Sequence, residues 1–218
     1  MTLSEEDYIK AIYHLGKGKD DSVSTNAIAE KMMTKPSSVS DMLRKLSAKG
    51  LVNYKRYKGV TLTNEGVITA LNLVRKHRLW EVFLVEKLGF TWDEVHEVAE
   101  QLEHVKSEKL VDGLDQLLDF PKYDPHGDPI PSKDGQLIDQ NKRLLSNLKV
   151  GEMGTCIGVR DSSSKFLNYL DKHRISLGNK IKVIDREEFD GSITLEIESE
   201  KINISNQIAS NLYVKLIS

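Results

Sequence analysis

Residues 37–50 read S-S-V-S-D-M-L-R-K-L-S-A-K-G, and they predict a helix. Val39, Met42, Leu43 and Leu46 recur at helical spacing, and Gly50 is a typical C-terminal stop. Residues 24–32, S-T-N-A-I-A-E-K-M, predict a shorter helix, which is separated from the next by the break M-T-K-P-S-S. Two short helices joined by a tight turn are typical of a helix-turn-helix.

The segments on either side extend this motif. Residues 4–15 begin with Ser4 and acidic residues and predict a first helix. Residues 51–63, L-V-N-Y-K-R-Y-K-G-V-T-L-T, form two strand-like runs around a basic turn, which predicts a β-hairpin wing. The sequence therefore predicts an N-terminal winged helix-turn-helix.

The residue pattern of the remaining chain changes twice, from helical to proline-rich and then to strand-like. A long helix is expected from Thr63 to about Leu88, followed by two acidic helices within 92–119 that break near Lys106 and Ser107. Their apolar stripes need a partner surface, and a homodimer is the simplest way to provide one. Four prolines between 121 and 131 mark a linker, and from 147 onward short strand-like runs with glycine turns predict a small SH3-like β-barrel with one helical insertion.

The fold class that follows is mainly α with small β. We expect three domains: a winged helix-turn-helix at 1–72, a helical dimerisation domain with its linker at 73–140, and an SH3-like domain at 145–218. No internal repeat is evident.

Composition limits the classes of function. The 218 residues are 39% hydrophobic and 29% charged, with a formal net charge of −2. No apolar run approaches the roughly 20 residues of a membrane span, and the first residues do not resemble a signal peptide, so we expect a cytoplasmic protein without membrane contact. The lone Cys156 excludes an internal disulfide. Six cations and no acid between 44 and 58 nevertheless indicate a local nucleic-acid surface.

Residues 96–104, H-E-V-A-E-Q-L-E-H, carry a cluster of groups that bind protons or metals. At about 100° per residue, His96, Glu100, Glu103 and His104 fall on one helical stripe, apart from the apolar stripe. A solvated acidic face is the plain alternative, because most charge runs on helices have that role. A metal site would need further ligands from elsewhere in the chain.

Several motifs resemble the metal-dependent repressors typified by the diphtheria toxin repressor and the manganese transport repressor. The resemblance covers the whole chain, including a C-terminal domain like that of the longer members. It is carried by these motifs: D-Y-I-K-A-I-Y-H-L, P-S-S-V-S-D-M-L-R-K-L, G-L-V-N-Y, R-K-H-R-L-W-E, V-H-E-V-A-E-Q-L-E-H-V and P-H-G-D-P-I-P.

The resemblance implies two metal sites. The primary site would consist of Asp7, Glu100, Glu103, His104 and Asp124. The ancillary site would consist of His77, Glu81, His126, Asp161 and His96. Taken singly, three of these have an ordinary structural alternative: His96 as an exposed cap, His126 as a loop residue bonded to the backbone, and Asp161 as a turn former beside three serines. For Asp124 the alternative is a residue that does not bind metal.

Ligand chemistry favours manganese. Iron-type members resemble this chain but have methionine where Asp7 stands and cysteine where Glu100 stands. Carboxylates in place of sulfur move the preference toward harder ions, so we expect Mn²⁺, with Fe²⁺ as the alternative and Zn²⁺, Co²⁺ or Cd²⁺ as ions that bind in vitro. Short manganese repressors have a glutamate where Lys10 sits, which argues against a binuclear site of their kind.

The predicted DNA surface comprises the start of the recognition helix and the wing. Short polar side chains there suit base edges and phosphates, and the cations suit phosphates. The residues are Lys35, Ser37, Ser38, Ser40, Asp41, Arg44, Lys45, Lys55, Arg56 and Lys58. Helix capping is the alternative role for the serines.

The resulting prediction is a homodimeric, metal-activated repressor of metal-uptake genes that binds a palindromic operator in double-stranded DNA and has no small organic substrate. Two alternatives from other classes stay open. A metallohydrolase would use the same cluster, but the chain lacks H-E-x-x-H and any nucleophile motif. A winged-helix regulator that senses an organic ligand would contain no metal on analysis.

Overall fold

The computed structural model describes residues 1–16, 21–55, 58–138 and 140–217. Within these residues it contains eight α-helices and eight β-strands, which confirms the predicted fold class. The chain divides into two compact units. The first comprises Met1–Trp80, Ala99–Gln116 and Pro131–Leu137, and the second comprises Glu81–Val98, Leu117–Ile130 and Ile138–Ser218.

The first unit begins with the predicted winged helix-turn-helix. Its elements are α1 (Leu3–Leu15), α2 (Thr25–Lys31), α3 (Pro36–Ala48), β1 (Val52–Lys55) and β2 (Gly59–Leu62). Thr2 and Glu5 form a capping box at the start of α1, and Ser24 caps α2. Gly50 adopts a φ of +73°, the left-handed conformation that ends a helix.

The wing is a two-stranded antiparallel hairpin, in which Val52 pairs with Leu62 and Lys55 with Gly59. Apolar residues from all three helices and both strands form one buried core beneath it. A glycine at position 66 lets the next helix approach this core, because a Cβ there would lie 2.1 Å from the carbonyl oxygen of Leu51.

Three helices follow the wing: α4 (Asn64–Leu88), α5 (Val95–Leu102) and α6 (Glu108–Leu117). Helix α5 is shorter than the sequence predicts, since it starts three residues after Trp92 and ends before His104. The backbone N–H of Val105 bonds to the Leu102 carbonyl at 3.2 Å, which tightens the last turn and ends the helix. Ser107 then accepts a hydrogen bond from the N–H of Leu110 in the first turn of α6.

The second unit contains a six-stranded antiparallel sheet in the order β3-β8-β4-β5-β6-β7. Its strands are β3 (Arg143–Leu144), β4 (Met153–Val159), β5 (Lys180–Arg186), β6 (Ile193–Ile197), β7 (Glu200–Ile204) and β8 (Leu212–Leu216). Helix α7 (Ser164–Lys172) is the predicted insertion, and α8 (Asn206–Ala209) precedes the last strand. Alternate residues of the strands point into one buried core.

The sequence does not predict β7. It pairs with β6 through a two-residue turn, Glu198 and Ser199, whose φ angles are +51° and +71°. Such turns normally contain glycine or asparagine, so the usual hairpin signal is missing here. Among the described residues, no helix combines the length and apolarity that crossing a membrane requires.

Candidate metal centre and nucleic-acid surface

Three potential ligands from two chain segments meet in the first unit; we call Asp7, Glu103 and His104 the primary cluster. One ligand atom from each lies within 4.8 Å of the other two. Asp7 is on α1, and its Oδ1 is 3.1 Å from Nε2 of His104. The other nitrogen of His104, Nδ1, is 2.7 Å from Oε2 of Glu6. A cation bound here would link α1 to the turn after α5.

Glu103 is fully buried and has one oxygen available. The N–H of Glu103 still bonds to the Ala99 carbonyl at 2.9 Å, so the residue continues the path of α5. Its Oε2 lies 2.6 Å from Nδ1 of His77 and 2.5 Å from Nζ of Lys10. Its Oε1 has no hydrogen-bond partner in the part of the chain that the structure describes. A buried carboxylate oxygen without a partner is costly, so the residues present fit a cation at this position.

Lys10 is an unpredicted member of this region. Its Nζ also contacts Oε1 of Glu100 at 2.8 Å and lies 3.3 Å from Nδ1 of His77. The side chain of Lys10 is 10% exposed and that of Glu100 is 42% exposed. In this conformation Glu100 pairs with an ammonium group, and its predicted role as a metal ligand stays a prediction.

The surroundings of Asp7 raise its proton affinity. Burial raises the pKa of Asp7, the His104 charge lowers it, and the neighbouring carboxylates of Glu103 and Glu100 raise it again. Asp7 therefore lies close to two other negative charges, those of Glu103 and Glu100.

A second group of ligands lies in the second unit; we call Glu81, Asp124 and His126 the second cluster. All three are buried, and one ligand atom from each lies within 4.8 Å of the other two. Oε2 of Glu81 is 3.6 Å from Nδ1 of His126, and its Oε1 is 3.5 Å from Nδ1 of His96. The structure thus brings together four residues that the sequence analysis assigns to metal sites.

His126 is held in one orientation by its surroundings. Its Nε2 is 2.8 Å from the Trp92 carbonyl oxygen, and its ring stacks on the Trp92 indole. Nε2 therefore carries the donated proton, and Nδ1 faces Glu81. Burial alone would lower the pKa of His126, but the hydrogen bond to Glu81 and the charges of Glu81 and Asp124 raise it to about 9.

Three predicted ligands have different surroundings from those the resemblance implies. Asp124, expected in the primary site, lies in the second cluster, where its Oδ1 accepts hydrogen bonds from the N–H groups of His126 and Asp128 at 2.8 and 2.9 Å. His77, expected in the ancillary site, contacts Glu103. Asp161 accepts a 2.8 Å hydrogen bond from the N–H of Ser163 and is in no group of three potential ligands among the described residues. Both aspartates accept backbone hydrogen bonds within their own turns, and their roles as metal ligands stay predictions.

Sequence reasoning did not assign Glu6 and Lys10 to the site. Both lie on α1 close to Asp7, and both are buried although charged. Charged residues inside an apolar helical stripe are rarely buried without a partner. Lys10 within Y-I-K-A-I therefore indicates a buried ion pair on α1.

The predicted DNA surface is largely exposed. Lys35, Ser37, Ser38, Asp41, Arg44, Lys45, Lys55 and Lys58 are exposed, and Ser40 is half-buried. Arg56 lies outside the described residues. The hydroxyl of Ser40 donates to the Pro36 carbonyl at 3.0 Å, and Asp41 forms an ion pair with Arg44. No side chain caps α3, since Lys35 at the cap position makes no such bond.

A groove of about 470 Å³ runs beside α3, between the recognition helix and the wing. Its lining includes Asn26, Ser37, Ser40 and Tyr54. The helix start and the hairpin therefore present polar groups to the same concave surface.

Comparison with known proteins agrees with this architecture. Residues 1–60 match the family model "Iron dependent repressor, N-terminal DNA binding domain". Residues 63–132 match "Iron dependent repressor, metal binding and dimerisation domain", and residues 143–216 match "FeoA domain".

Similar proteins of known structure cover the chain almost completely. A manganese-dependent transcriptional repressor in complex with manganese is 39% identical, with a TM-score of 0.86 over 98% of this chain and 100% of that one. ScaR with bound Zn²⁺ is 37% identical, with a TM-score of 0.78 over 98% of this chain and 99% of that one. The transcriptional regulator MntR of Oceanobacillus iheyensis is 36% identical over 123 residues, which are 56% of this chain and 82% of MntR. The chain therefore belongs to the family of metal-dependent transcriptional repressors that includes the diphtheria toxin repressor and MntR.

Proposed function

We propose that this protein is a homodimeric repressor that binds palindromic operator DNA when Mn²⁺ fills the primary cluster, and that it controls genes of metal uptake. The observation that carries the proposal is the buried, unpartnered Oε1 of Glu103 next to Asp7 and His104. A cation there would link the winged helix, through α1, to the helical segment that follows α5.

The metal would supply only a positive charge and a preferred coordination geometry. Two carboxylates and one imidazole, without sulfur, form a hard ligand set that suits Mn²⁺. The manganese complex of a 39% identical repressor supports this choice. Fe²⁺ is the alternative, supported by the iron-dependent name of the matching family models. Zn²⁺ and Co²⁺ would bind in vitro, because their intrinsic affinity for such ligands is higher than that of Mn²⁺. The structures of 37% identical ScaR with bound Zn²⁺ and with bound Cd²⁺ support in vitro binding of these two ions.

On the DNA side, α3 would enter the major groove with its N-terminal turn first. Ser37, Ser38 and Ser40 are short enough to meet base edges, and the uncapped N–H groups of α3 suit a phosphate. Lys45, Lys55 and Lys58 would contact the flanking phosphates.

A palindromic operator requires two copies of α3 related by a two-fold axis. Leu110 and Leu117, seven residues apart on α6, are 46% and 60% exposed. An apolar face of this kind supports self-association through the segment that matches the dimerisation model.

We propose a regulatory and not a catalytic role for the primary cluster. A hydrolytic metal site keeps an open position and a general base beside the bound water. Here the groups next to Glu103 are Lys10 and His77, which already bond to its second oxygen. Metal analysis of the purified protein would separate this proposal from a sensor of an organic ligand.

The test is an operator-binding mobility assay titrated with Mn²⁺, anaerobic Fe²⁺ and Zn²⁺. We expect Mn²⁺ to stimulate binding of the wild type and Glu103→Gln, Glu103→Ala and His104→Ala to lose that stimulation. Glu97→Ala, an exposed position on α5, is the matched control and should respond like the wild type. Unchanged stimulation in the Glu103 and His104 variants would remove the proposal.

Asp161→Ala should weaken metal affinity modestly if the C-terminal domain provides a ligand. An unchanged affinity in a metal titration would show that Asp161 is not a ligand.

A further inference from the structure

We propose that Lys10 is a tethered cation that competes with the divalent ion for the primary cluster and so sets the metal concentration at which the repressor is activated. This inference rests on the proposed function of the cluster. The observation behind it is that one buried ammonium group contacts two carboxylates, those of Glu100 and Glu103, at 2.8 and 2.5 Å.

The position of Lys10 on α1 explains how it reaches the cluster. It follows Asp7 by three residues, so the two side chains share one face of the helix. Ile9 and Ile12, on the opposite side of α1, are 0% and 1% exposed and anchor the helix in the core of the winged helix. The face with Asp7 and Lys10 is therefore turned toward the cluster. The same helix therefore supplies a predicted metal ligand and, one turn later, a positive charge.

The charges of the region are consistent with one ammonium and one divalent ion. Asp7, Glu100 and Glu103 carry three negative charges when ionised, and Lys10 balances one of them. Glu6 is engaged separately with His104 at 2.7 Å. The charge of −2 that is left still attracts one divalent cation, but less strongly than the charge of −3 that these carboxylates would carry without Lys10.

An ammonium group in this place has two opposite effects. It stabilises the metal-free protein, because a buried carboxylate such as Glu103 would otherwise lack a counter-charge. It also lowers the affinity for Mn²⁺, because like charges repel strongly at short range in a buried site. Loss of the Lys10 charge should therefore destabilise the metal-free state and strengthen metal binding at the same time.

The experiment measures Mn²⁺ affinity by calorimetric titration and the melting temperature with and without Mn²⁺, using the full chain. We expect Lys10→Met to lower the Kd for Mn²⁺ at least about tenfold and to lower the Tm of the metal-free protein by about 5 °C. Lys10→Arg keeps the charge and should keep the Kd of the wild type. Lys49→Met is the matched control: Lys49 pairs with Glu5 on the same helix, away from the cluster, so its Kd should not change and its Tm should fall equally with and without metal.

The possible results separate this inference from the function on which it rests. If the wild type binds Mn²⁺ but Lys10→Met binds it equally or more weakly, the inference is wrong and the proposed metal site stands. If Lys10→Met binds Mn²⁺ more tightly but metal does not stimulate operator binding, the inference stands and the repressor proposal fails. If the wild type binds no Mn²⁺, both are overturned. Lys10→Gln, which keeps a hydrogen-bonding group, gives the same comparison should Lys10→Met fail to fold.

Discussion

At the scale of single residues, Gly127 holds the second cluster in place. Its φ is +84°, and a Cβ there would lie 2.0 Å from the carbonyl oxygen of Ile157 on β4. The preceding residue, His126, accepts a hydrogen bond from the N–H of Val159 at 3.0 Å. Glycine is needed here both for the left-handed backbone and for the close approach of two main chains.

We expect Gly127→Ala to lower the free energy of unfolding of the second unit by about 3 kcal/mol or more, since backbone strain and a main-chain clash act together. The measurement is denaturant unfolding. Gly151→Ala is the control, because Gly151 has a φ of +91° and open space around its Cβ position. Gly151→Ala should lower the free energy of unfolding by only about 1–2 kcal/mol, because the left-handed conformation alone disfavours alanine there. Equal losses in the two variants would show that the contact with Ile157 is unimportant.

At the scale of secondary structure elements, α1 connects the cluster to the DNA-binding part of the first unit. Its start is fixed by the capping box of Thr2 and Glu5. Glu5 also pairs with Lys49, at the C-cap of α3, through distances of 2.7 and 2.8 Å. The hydrogen bond to Lys49, followed by that to Thr2, lowers the pKa of Glu5. One carboxylate therefore fixes the start of α1 and links it to the recognition helix.

This ion pair should make stability depend on pH. Because the pKa of Glu5 is lower in the folded than in the unfolded chain, its contribution is complete above the usual value of 4.5 and is lost as the pH falls through the folded pKa. We expect Lys49→Met to lower the free energy of unfolding by about 0.5–1 kcal/mol at pH 7, and the difference from the wild type to shrink below pH 4.5. Denaturation at a series of pH values measures this. A difference that stays constant down to pH 3 would contradict it.

At the scale of the whole molecule, buried apolar residues form two clusters among the described residues, one in the winged helix and one around the C-terminal sheet. The helical segment between them contributes to both compact units. The three family models nevertheless match three successive ranges. The domain limits at 72, 140 and 145 therefore stay predictions, because the middle segment shares its contacts with its neighbours.

Metal should stabilise the first unit as a whole. A ligand that binds only the folded state at 100 times its Kd adds about 2.7 kcal/mol, which raises the Tm of a chain of this size by about 5–10 °C. We expect this shift with Mn²⁺ in scanning calorimetry, a smaller one with Mg²⁺ at the same concentration, and none with Glu103→Gln. A shift of equal size in Glu103→Gln would place the stabilising ion elsewhere.

The order of elements and the kinds of ligand follow from the sequence alone. Helical spacing of apolar residues predicts α1 to α4, and the alternating runs predict most of the sheet. The resemblance of the motifs to metal-dependent repressors implies carboxylate and imidazole ligands for a hard cation. These features depend on the identities of the residues and on their spacing along the chain, and both are present in the sequence before it folds.

Only the tertiary structure decided which of those side chains meet. The pairing of Lys10 with Glu103 joins residues 93 positions apart. The second cluster likewise depends on a turn packed against β4, which brings Asp124 and His126 to Glu81 on α4. The early end of α5 and the hairpin turn at Glu198 and Ser199 likewise lack a local signal. Contacts between distant segments are fixed by how the elements pack and by the demand that each buried charge find a partner, and neither is encoded in a spacing rule.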